Sequence, residues 1–396
     1  MLMKIKIAGD NMIYLDNAAT TFPKPSSVYK NVMKAMKVYG ANPGRGSHAM
    51  AIEGAKVIYE TRELLAELFN FDDPMKAIFT FNATDSLNIA IKGILNTGDH
   101  VITTEMEHNS VLRPIKESEK TWIENTIVKC ASDGTINLEE LESAIKENTK
   151  LIVTTHVSNL TGTIFPIEEI GKISKKYGVL YLLDGSQSAG VLNIDLKTHN
   201  IDFLAAPGHK GLLGPQGTGV LIINNDTELK QLKEGGTGSR SSSLEHPDFY
   251  PDKLEAGTHN LPGIAGLNAG LKYILKRGTE SIYSHEKALL DTFIIGLRKN
   301  PKIKIYGPES IEHRISVVPV NIDGMDSSEV ANILDTEYDI AVRPGLHCAP
   351  LAHKAIGTEN LGAVRFGVGP FNKETDIIAA VDALNKISEK HGKGTQ

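Results

Sequence analysis

Two short apolar segments, each followed closely by ionisable side chains, constrain the fold of this chain more than any other feature. Residues 179–183 stop at Asp184, and residues 201–205 are followed shortly by His209 and Lys210. Short apolar runs bounded by turn residues are typical of strands buried in a parallel sheet. Because open α/β sheets bind ligands at the carboxyl ends of their strands, this placement predicts a ligand site there.

An acid and a lysine at two such strand ends favour a pyridine cofactor. The Asp184 carboxylate is suited to hold a proton on a pyridine nitrogen, and the Lys210 amine is suited to form a Schiff base. Two alternatives stay open from these residues alone: a salt bridge between the two side chains, or two unrelated surface charges.

From residue 77 onward, apolar segments of strand length alternate with stretches of helical spacing. Strands are predicted at residues 77–80, 100–104, 126–130, 151–155, 179–183, 201–205 and 219–223. Helices are predicted between several of them and, earlier in the chain, at residues 27–38 and 49–69. The alternation predicts an α/β fold with a mostly parallel, seven-stranded sheet.

The chain is also predicted to divide into parts. Residues 303–390 alternate strands and helices afresh, which indicates a second, smaller α+β domain. We predict an N-terminal segment at residues 1–25 that packs near the small domain, a large cofactor-binding domain at 26–262, and a small C-terminal domain at 263–396.

Composition excludes several classes of function. The 41% hydrophobic and 23% charged residues are those of an ordinary globular protein. A net charge of −6 gives no reason to expect nucleic acid or an anionic membrane as partner. No apolar run approaches the ~20 residues that span a bilayer. The only cysteines are Cys130 and Cys348, so a disulfide framework is excluded and a reducing, cytoplasmic location is predicted.

Further polar side chains follow other predicted strands. Thr84 opens a helix after the first strand, His108 follows the second, and Asn159 and Gln187 follow later ones. Helix N-termini bind phosphate through free N–H groups, although a helix cap formed by Thr84 or Asn82 is the simpler interpretation there. The shared placement of these residues carries more weight than any one of them.

Taken together, a series of motifs resembles one enzyme family. They run from Tyr14 to the C-terminal region and read Y-L-D-N-A-A-T-T, N-P-G-R-G-S-H, M-E-H-N-S-V, H-V-S-N-L-T-G, L-L-D-G-S-Q-S-A-G, G-H-K-G-L-L-G-P-Q-G-T-G, E-A-G-T-H-N and R-P-G-L-H-C-A-P. In this order they resemble the class V, fold-type-I enzymes that depend on pyridoxal phosphate, and are similar to cysteine desulfurases and selenocysteine lyases.

This resemblance implies roles for specific residues. Lys210 is implied as the Schiff-base lysine and His108 as the residue that stacks on the cofactor ring. The remaining cofactor-binding residues that it implies are Asp184, Gln187, His209, Ala83 and Thr84, with Gly257 and Thr258 reaching in from a second subunit. The substrate-binding residues that it implies are Asn159, Arg365, His48 and Ala18; a guanidinium fork suits a carboxylate.

Two positions depart from the family pattern. Pro207 and Ala83 stand where relatives carry hydroxyl residues, so two potential phosphate ligands are missing. Backbone N–H groups, His209 and the second subunit are therefore expected to carry more of the phosphate binding.

Cys348 indicates which of the family's reactions this chain is expected to catalyse. It lies in a loop punctuated by glycine and proline, which is a poor place for a buried filler residue, and Arg343 and His347 are expected to favour its thiolate. The resemblance implies that this cysteine accepts sulfur from the substrate as a persulfide. A zinc site at His347, Cys348 and His353 lacks the paired cysteines of strong zinc motifs, so no metal is expected. Cys130 is expected in the core.

The resemblance thus implies catalysis by Lys210, Cys348 and His108 on L-cysteine or L-selenocysteine, in a homodimer with shared sites and with an acceptor protein for the sulfur or selenium. Two alternatives stay open. One is another class V reaction, such as transamination, that does not use Cys348. The other is a nucleotide-binding protein built on the glycines of residues 211–219, which lack the following helix that a phosphate-binding loop requires.

Overall fold

The computed structural model describes residues 12–43 and 46–391. The first part of the predicted N-terminal segment (residues 1–11), two residues of the N-P-G-R-G-S-H motif (44 and 45) and residues 392–396 lie outside this range. Within the described ranges, no helix is both long and apolar enough to cross a membrane.

The strands and helices of the described residues follow in chain order. The strands are β1 (Ile13–Tyr14), β2 (Ala77–Thr80), β3 (His100–Thr104), β4 (Glu124–Val128), β5 (Thr149–Thr155), β6 (Leu180–Asp184), β7 (Phe203–Pro207), β8 (Gly219–Ile223), β9 (Ile303–Ile305), β10 (Val317–Ile322), β11 (Ile340–Ala341), β12 (Arg343–Gly345) and β13 (Ala363–Gly367). The α-helices are α1 (Ser26–Val38), α2 (Ala49–Phe69), α3 (Ala83–Ile94), α4 (Asn109–Ser118), α5 (Leu138–Ser143), α6 (Ile167–Tyr177), α7 (Leu261–Arg277), α8 (Thr279–Arg298), α9 (Ser327–Tyr338), α10 (Pro350–Ala355) and α11 (Glu374–His391).

A seven-stranded sheet in the order β2-β8-β7-β6-β5-β3-β4 forms the large domain. All neighbours are parallel except at β8, which runs antiparallel to both β2 and β7. The predicted α/β fold with a mostly parallel, seven-stranded sheet is therefore confirmed. Three predicted strands have the observed bounds, and the other four are displaced or extended by one or two residues.

Alternate residues of these strands pack on opposite faces of the sheet. Leu183 and Leu204 face a core that includes side chains of α1, α2, α6 and α7. Their neighbours Leu182 and Phe203 face a second core that includes side chains of α3 and α4. Burial on both faces explains why these strands read as continuous apolar runs instead of alternating ones.

The small domain is built on a four-stranded antiparallel sheet in the order β12-β13-β10-β9. Its core contains Val318 and Phe366 from the sheet and Phe293 from α8, with further side chains from α9 and α11. The N-terminal segment joins this domain: β1 pairs in parallel with β11, and Leu15 is buried in the same core.

Helix α7 packs with the large domain. Its residues Leu267 and Leu271 share a core with Ala35 of α1 and Leu65 of α2, whereas α8 contributes Phe293 to the small domain. A boundary at residue 262 would separate α7 from the helices that it packs against. We therefore propose that the large domain extends through α7 to about residue 278, where Gly278 links it to α8.

Two glycines, Gly190 and Gly211, allow the segments that follow β6 and β7 to pack closely together. A Cβ atom on Gly190 would lie 2.4 Å from the carbonyl oxygen of Gly211, and one on Gly211 would lie 2.3 Å from that of Ala189. Gly190 also has a φ of 84°. The segments that follow β6 and β7 therefore pack backbone against backbone, which only glycine permits.

A buried ion pair ties α2 to the segment that precedes α7. Arg62 Nη2 lies 2.6 Å from Glu255 Oε2, and both side chains are almost fully buried. Glu255 Oε1 accepts a hydrogen bond from the backbone N–H of Phe79 at 2.6 Å, and Arg62 Nη1 donates to the carbonyl of Ala77. The pair thus joins α2, β2 and residues 255–258.

We expect Glu255→Ala to lower the free energy of unfolding by about 3–5 kcal/mol, because it leaves the Arg62 guanidinium buried without its counter-charge. The exposed pair of Lys272 and Glu60 supplies the control, and Lys272→Ala is expected to cost less than about 1 kcal/mol. Urea unfolding of the variants measures both losses. Equal, small losses would show that the Arg62–Glu255 pair is not desolvated.

Candidate active site

A cavity of about 150 Å³ opens at the carboxyl ends of β5, β6 and β7 and at the N-terminal ends of α3 and α4. The predicted site residues that line it are Ala83, Thr84, His108, Asn159, Asp184, Gln187, His209 and Lys210. Pro207 also lines it, so this part of the wall offers no side-chain hydroxyl, as the sequence indicated. The topology therefore brings together eight side chains that are separated by up to 127 positions in the chain.

Asp184 and Lys210 lie at two neighbouring strand ends of this cavity. Asp184 is almost fully buried and accepts a hydrogen bond from the backbone N–H of Ser186 at 2.9 Å, while burial raises the pKa of its carboxyl. Burial, followed by the charge of Arg365, lowers the pKa of Lys210 to about 8. The charges of these two described side chains interact, but no hydrogen-bonded ion pair joins them, so the salt-bridge alternative is not supported. A buried carboxyl group and an amine with a pKa of about 8 therefore line the same cavity.

His108 caps α4 and is oriented through a chain of hydroxyl groups. Its Nδ1 accepts hydrogen bonds from the backbone N–H of Ser110 at 3.1 Å and from Ser110 Oγ at 2.8 Å. Ser110 Oγ lies 2.7 Å from Thr84 Oγ1. Because Nδ1 is an acceptor here, the ring proton is on Nε2. Burial and the charge of Lys210 lower the pKa of His108 to about 4, so the ring is neutral.

The start of α3 resolves the question of which residue caps it. Asn82 Oδ1 accepts from the backbone N–H of Asp85 at 2.9 Å, so Asn82 is the cap. Thr84 lies in the first turn, and its hydroxyl contacts Ser110 instead of its own backbone.

The N-terminal segment holds the backbone beside Lys210. The carbonyl oxygen of His209 accepts hydrogen bonds from Thr20 Oγ1 at 3.1 Å, from the backbone N–H of Thr21 at 3.2 Å and from Lys24 Nζ at 2.5 Å. Burial lowers the pKa of Lys24 to about 7. His209 itself is neutral, because burial lowers its pKa to about 4, and its Nδ1 has no partner among the described residues. Its ring is therefore available to a ligand.

Gln187 and Ala18 contact each other. Gln187 Nε2 donates to the carbonyl of Ala18 at 3.1 Å. Both residues also line a second cavity, between the two domains, that includes Lys210. Gln187 therefore belongs to the walls of both cavities.

Arg365 and Asn159 form a buried pair next to the site. Arg365 Nη1 donates to the carbonyl of Asn159 at 3.0 Å, and Arg365 Nη2 forms an ion pair with Asp16 Oδ1 at 3.0 Å. Arg365 Nε and Asn159 Oδ1 are buried and have no partner in the described parts of the chain. The guanidinium is thus committed in part to Asp16, and it retains donors for a further anion.

Cys348 lies on an exposed loop between β12 and α10, and that loop is held by the cavity wall. Asn159 Nδ2 donates to the carbonyl of His347, and the backbone N–H of Asn109 donates to the carbonyl of Cys348, both at 2.8 Å. Arg343 Nη2 lies 3.9 Å from Cys348 Sγ. The predicted positive charge on His347 is wrong: burial lowers its pKa to about 3, so Arg343 is the cationic neighbour of the thiol.

Six predicted residues do not line this cavity; Ala18, Arg365 and the loop of Cys348 contact it as described above, and the other three lie apart from it. Gly257 and Thr258 line a separate surface cavity with Phe81 and Lys233. His48 is exposed and caps α2, where its Nδ1 accepts from the backbone N–H of Ala51 at 3.4 Å. Within one chain these residues do not reach the site.

Several residues around the site were not identified from the sequence. Ser110, Asp16 and Lys24 act through the contacts described above, and Glu107 lies buried behind the wall. Glu107 Oε1 accepts from Thr104 Oγ1 at 2.7 Å, and burial raises its pKa to about 8. Ser110, Asp16 and Glu107 stand inside or beside quoted motifs, but nothing in the sequence indicates their partners.

Comparison with known proteins places this chain in a family. The profile of the family "Aminotransferase class-V" matches residues 13–379, and the chain belongs to that family. A protein of Methanothermobacter thermautotrophicus named "Probable cysteine desulfurase" is 34% identical over 95% of this chain and 94% of its own.

Two solved structures are similar in fold. A cysteine desulfurase of Thermococcus onnurineus, solved in its apo form, has a TM-score of 0.90 and 31% identity, covering 96% of this chain and 95% of that one. The cysteine desulfurase CsdA of Escherichia coli, solved as an S-sulfonic acid, has a TM-score of 0.87 and 26% identity, covering 96% and 95%. The large mixed sheet and smaller domain are thus those of the fold-type-I enzymes.

The two cysteines are expected to react with iodoacetamide at very different rates at about pH 8. Cys348 is exposed, whereas burial and the nearby carboxylate of Glu107 raise the pKa of Cys130 to about 12. Peptide mapping of the native protein should find the label on Cys348, and the Cys348→Ser protein should take up almost none. Equal labelling of both cysteines would contradict these environments.

Proposed function

We propose that this protein is a pyridoxal-phosphate-dependent cysteine desulfurase that converts L-cysteine to L-alanine and takes the sulfur onto Cys348. The observation that carries the proposal is the exposed Cys348 thiol on a loop that is hydrogen-bonded to Asn159, which lines the cavity, and to the backbone N–H of Asn109, which lies between the lining residues His108 and Ser110. This position supports a site in which the Cys348 nucleophile would act together with the Lys210 amine and the buried Asp184 carboxyl group.

The donors around the cavity fit pyridoxal phosphate. Asp184 would hold the pyridine proton, Lys210 would bind the aldehyde carbon, and the neutral ring of His108 would stack on the cofactor. When bound, the cofactor supplies an electron sink for the negative charge that develops at the substrate Cα. The buried His209 Nδ1 without a partner supports a polar ligand at this position.

The phosphate would lie at the N-terminal end of α3. The first backbone N–H groups of this helix, beginning at Ala83, favour an anion, and Thr84 and His209 line the same cavity. Since Ala83 and Pro207 carry no hydroxyl, these groups would bear most of the binding within one chain. Gln187 would contact the phenolic oxygen of the ring from the opposite wall.

The substrate carboxylate would bind beside Asn159 and Arg365. The unpartnered Arg365 Nε supports this placement, because a guanidinium that is only partly engaged can still donate to a carboxylate. Ala18 and His48 are the remaining substrate-binding residues that we propose, the latter in a second subunit.

The sulfur transfer balances without an added oxidant. The Lys210 amine takes the Cα proton of the substrate, and the Cys348 thiolate attacks the substrate sulfur. The new S–S bond forms as the C–S bond breaks, and the electron pair of that bond stays with the carbon fragment. Protonation of this fragment gives alanine, so sulfur is oxidised as carbon is reduced and Cys348 is left as a persulfide.

We also propose a homodimer with shared active sites. Tyr29, Met33 and Met36 on α1 are each at least half exposed, and such an apolar surface favours association. Gly257 and Thr258, which lie outside the cavity of their own chain, would reach the phosphate of the partner.

Mixed dimers of Lys210→Ala and Thr258→Ala subunits should regain one intact site, and an active monomer would contradict the proposal.

L-Selenocysteine is the second candidate substrate, because its selenol resembles the thiol in shape and is more acidic. The persulfide or its selenium counterpart would pass to an acceptor protein at the exposed Cys348. We propose a reducing, cytoplasmic location, since the reaction needs this thiol free.

Holoenzyme formation from the apoprotein and pyridoxal phosphate is expected to accelerate as pH rises through about 8, where the Lys210 amine loses its proton. Because the Arg365 charge disfavours the ammonium form, Arg365→Gln should move the midpoint upward, toward the ordinary lysine value of 10.5. The cofactor's absorbance measures the rate. Arg113→Gln, at an exposed position on α4, should leave the midpoint unchanged, and a wild-type midpoint in Arg365→Gln would refute the coupling.

Cys348→Ser is expected to lower alanine formation from L-cysteine by on the order of 100-fold or more, because no nucleophile then takes the sulfur. Activity on L-selenocysteine should persist in part, since selenium leaves more readily. Alanine release measures both, with Cys130→Ser as the control that keeps both activities. Wild-type turnover of L-cysteine by Cys348→Ser would favour a class V reaction that does not use this residue.

A further inference from the structure

A chain of three hydrogen-bonded side chains lies behind the Cys348 loop. His347 Nε2 lies 3.0 Å from the carbonyl oxygen of Arg343, His347 Nδ1 lies 3.2 Å from His353 Nε2, and His353 Nδ1 lies 2.7 Å from Thr358 Oγ1. All three side chains are buried, and the two imidazole rings are nearly parallel, with 12° between their planes. We refer to His347, His353 and Thr358 as the histidine relay.

The position of every proton in the relay follows from one carbonyl group. A carbonyl oxygen only accepts, so His347 Nε2 carries a proton and donates it to Arg343. Burial keeps both rings neutral by lowering the pKa of His347 to about 3 and that of His353 to about 4. His347 Nδ1 is then an acceptor, so His353 Nε2 donates to it, and His353 Nδ1 accepts from the Thr358 hydroxyl. Every ring nitrogen of the relay is satisfied in a single arrangement.

The backbone that the relay holds is unusual. His347 and Cys348 have φ values of 51° and 56°, in the left-handed region that residues with a side chain rarely adopt. Two consecutive residues of this kind persist only where the surroundings fix them. Asn159 Nδ2 donates to the carbonyl of His347, and the backbone N–H of Asn109 donates to the carbonyl of Cys348. The relay fixes the imidazole ring of His347.

We propose that His353 is a positioning residue for sulfur transfer: through His347 it fixes the left-handed backbone that aims the Cys348 thiol at the substrate and keeps it beside Arg343. This inference rests on the proposed role of Cys348 as sulfur acceptor. His353 touches neither substrate nor thiol, so its effect is on geometry alone. Misplacing a reacting atom by about 1 Å costs about 100-fold in rate.

The test compares His353→Phe, His353→Gln and Thr358→Val as holoenzymes. His353→Phe keeps a planar ring and removes both nitrogens, so kcat for L-cysteine should fall about 10- to 100-fold with KM nearly unchanged. The Gln amide can still donate to His347 Nδ1, so His353→Gln should recover most of the loss. Thr358→Val, which removes one donor to His353, should give a smaller fall.

A matched control is available at His100, which is also buried and lies between two hydroxyl groups, those of Thr149 and Thr126. It stands at the start of β3, and the cavity lies at the opposite, carboxyl ends of the parallel strands. His100→Phe should therefore keep the wild-type kcat. An equal fall in kcat for this control, wild-type kcat in His353→Phe, or a His353→Gln protein no better than His353→Phe would each overturn the proposal.

Alkylation of Cys348 by iodoacetamide separates this inference from the proposed function. The thiol is already exposed, so a relaxed loop adds little access but loses the contact with Arg343, and His353→Phe should slow alkylation several-fold. Slower alkylation in His353→Phe would support the role of the relay in placing the thiol. If the Cys348→Ser protein nevertheless still desulfurised L-cysteine, the proposed sulfur transfer to Cys348 would be refuted. Unchanged alkylation in His353→Phe would refute the relay itself.

Discussion

The buried guanidinium of Arg365 is the interaction on which the rest of the site depends. It stands on β13 of the small domain, yet it donates to Asn159 of the large domain and pairs with Asp16 of the N-terminal segment. Three separate parts of the chain therefore meet at one cation. Together with burial, which has the larger effect, its charge also lowers the pKa of Lys210, His108 and His347, so the group that joins the domains helps to keep the two rings neutral and disfavours the charged form of the amine.

The arrangement around the thiol follows a different logic. The neighbouring imidazole of His347 carries no charge, and a single guanidinium lies at hydrogen-bonding distance from the sulfur. The position of the thiol is otherwise fixed by the backbone, because Asn159 and Asn109 donate hydrogen bonds to the carbonyls of His347 and Cys348, the two residues in the left-handed region. Asn159, which lines the cavity, thus also supports the Cys348 loop, and this contact would link the position of a bound substrate to that of the proposed sulfur acceptor.

Much of this fold could be predicted from the sequence, because the strands of the large domain are buried on both faces and read as short apolar runs. The placement of Asp184 and Lys210 at two strand ends followed for the same reason. The boundary that we propose after α7 differs from the predicted one, since apolar periodicity shows that a helix is buried but not which domain buries it. Charge states also escaped prediction: His347 looked cationic from its neighbours, and only its burial shows that it is neutral.

The fate of the substrate sulfur tests the account most directly. After turnover of L-cysteine by the holoenzyme, trapping of persulfides with an alkylating reagent and peptide mapping should find one additional sulfur atom on the peptide that contains Cys348. The amount should match the alanine released in the first turnover. Alanine release with the additional sulfur on Cys130, or with none on the protein, would contradict the central claim that Cys348 accepts the sulfur.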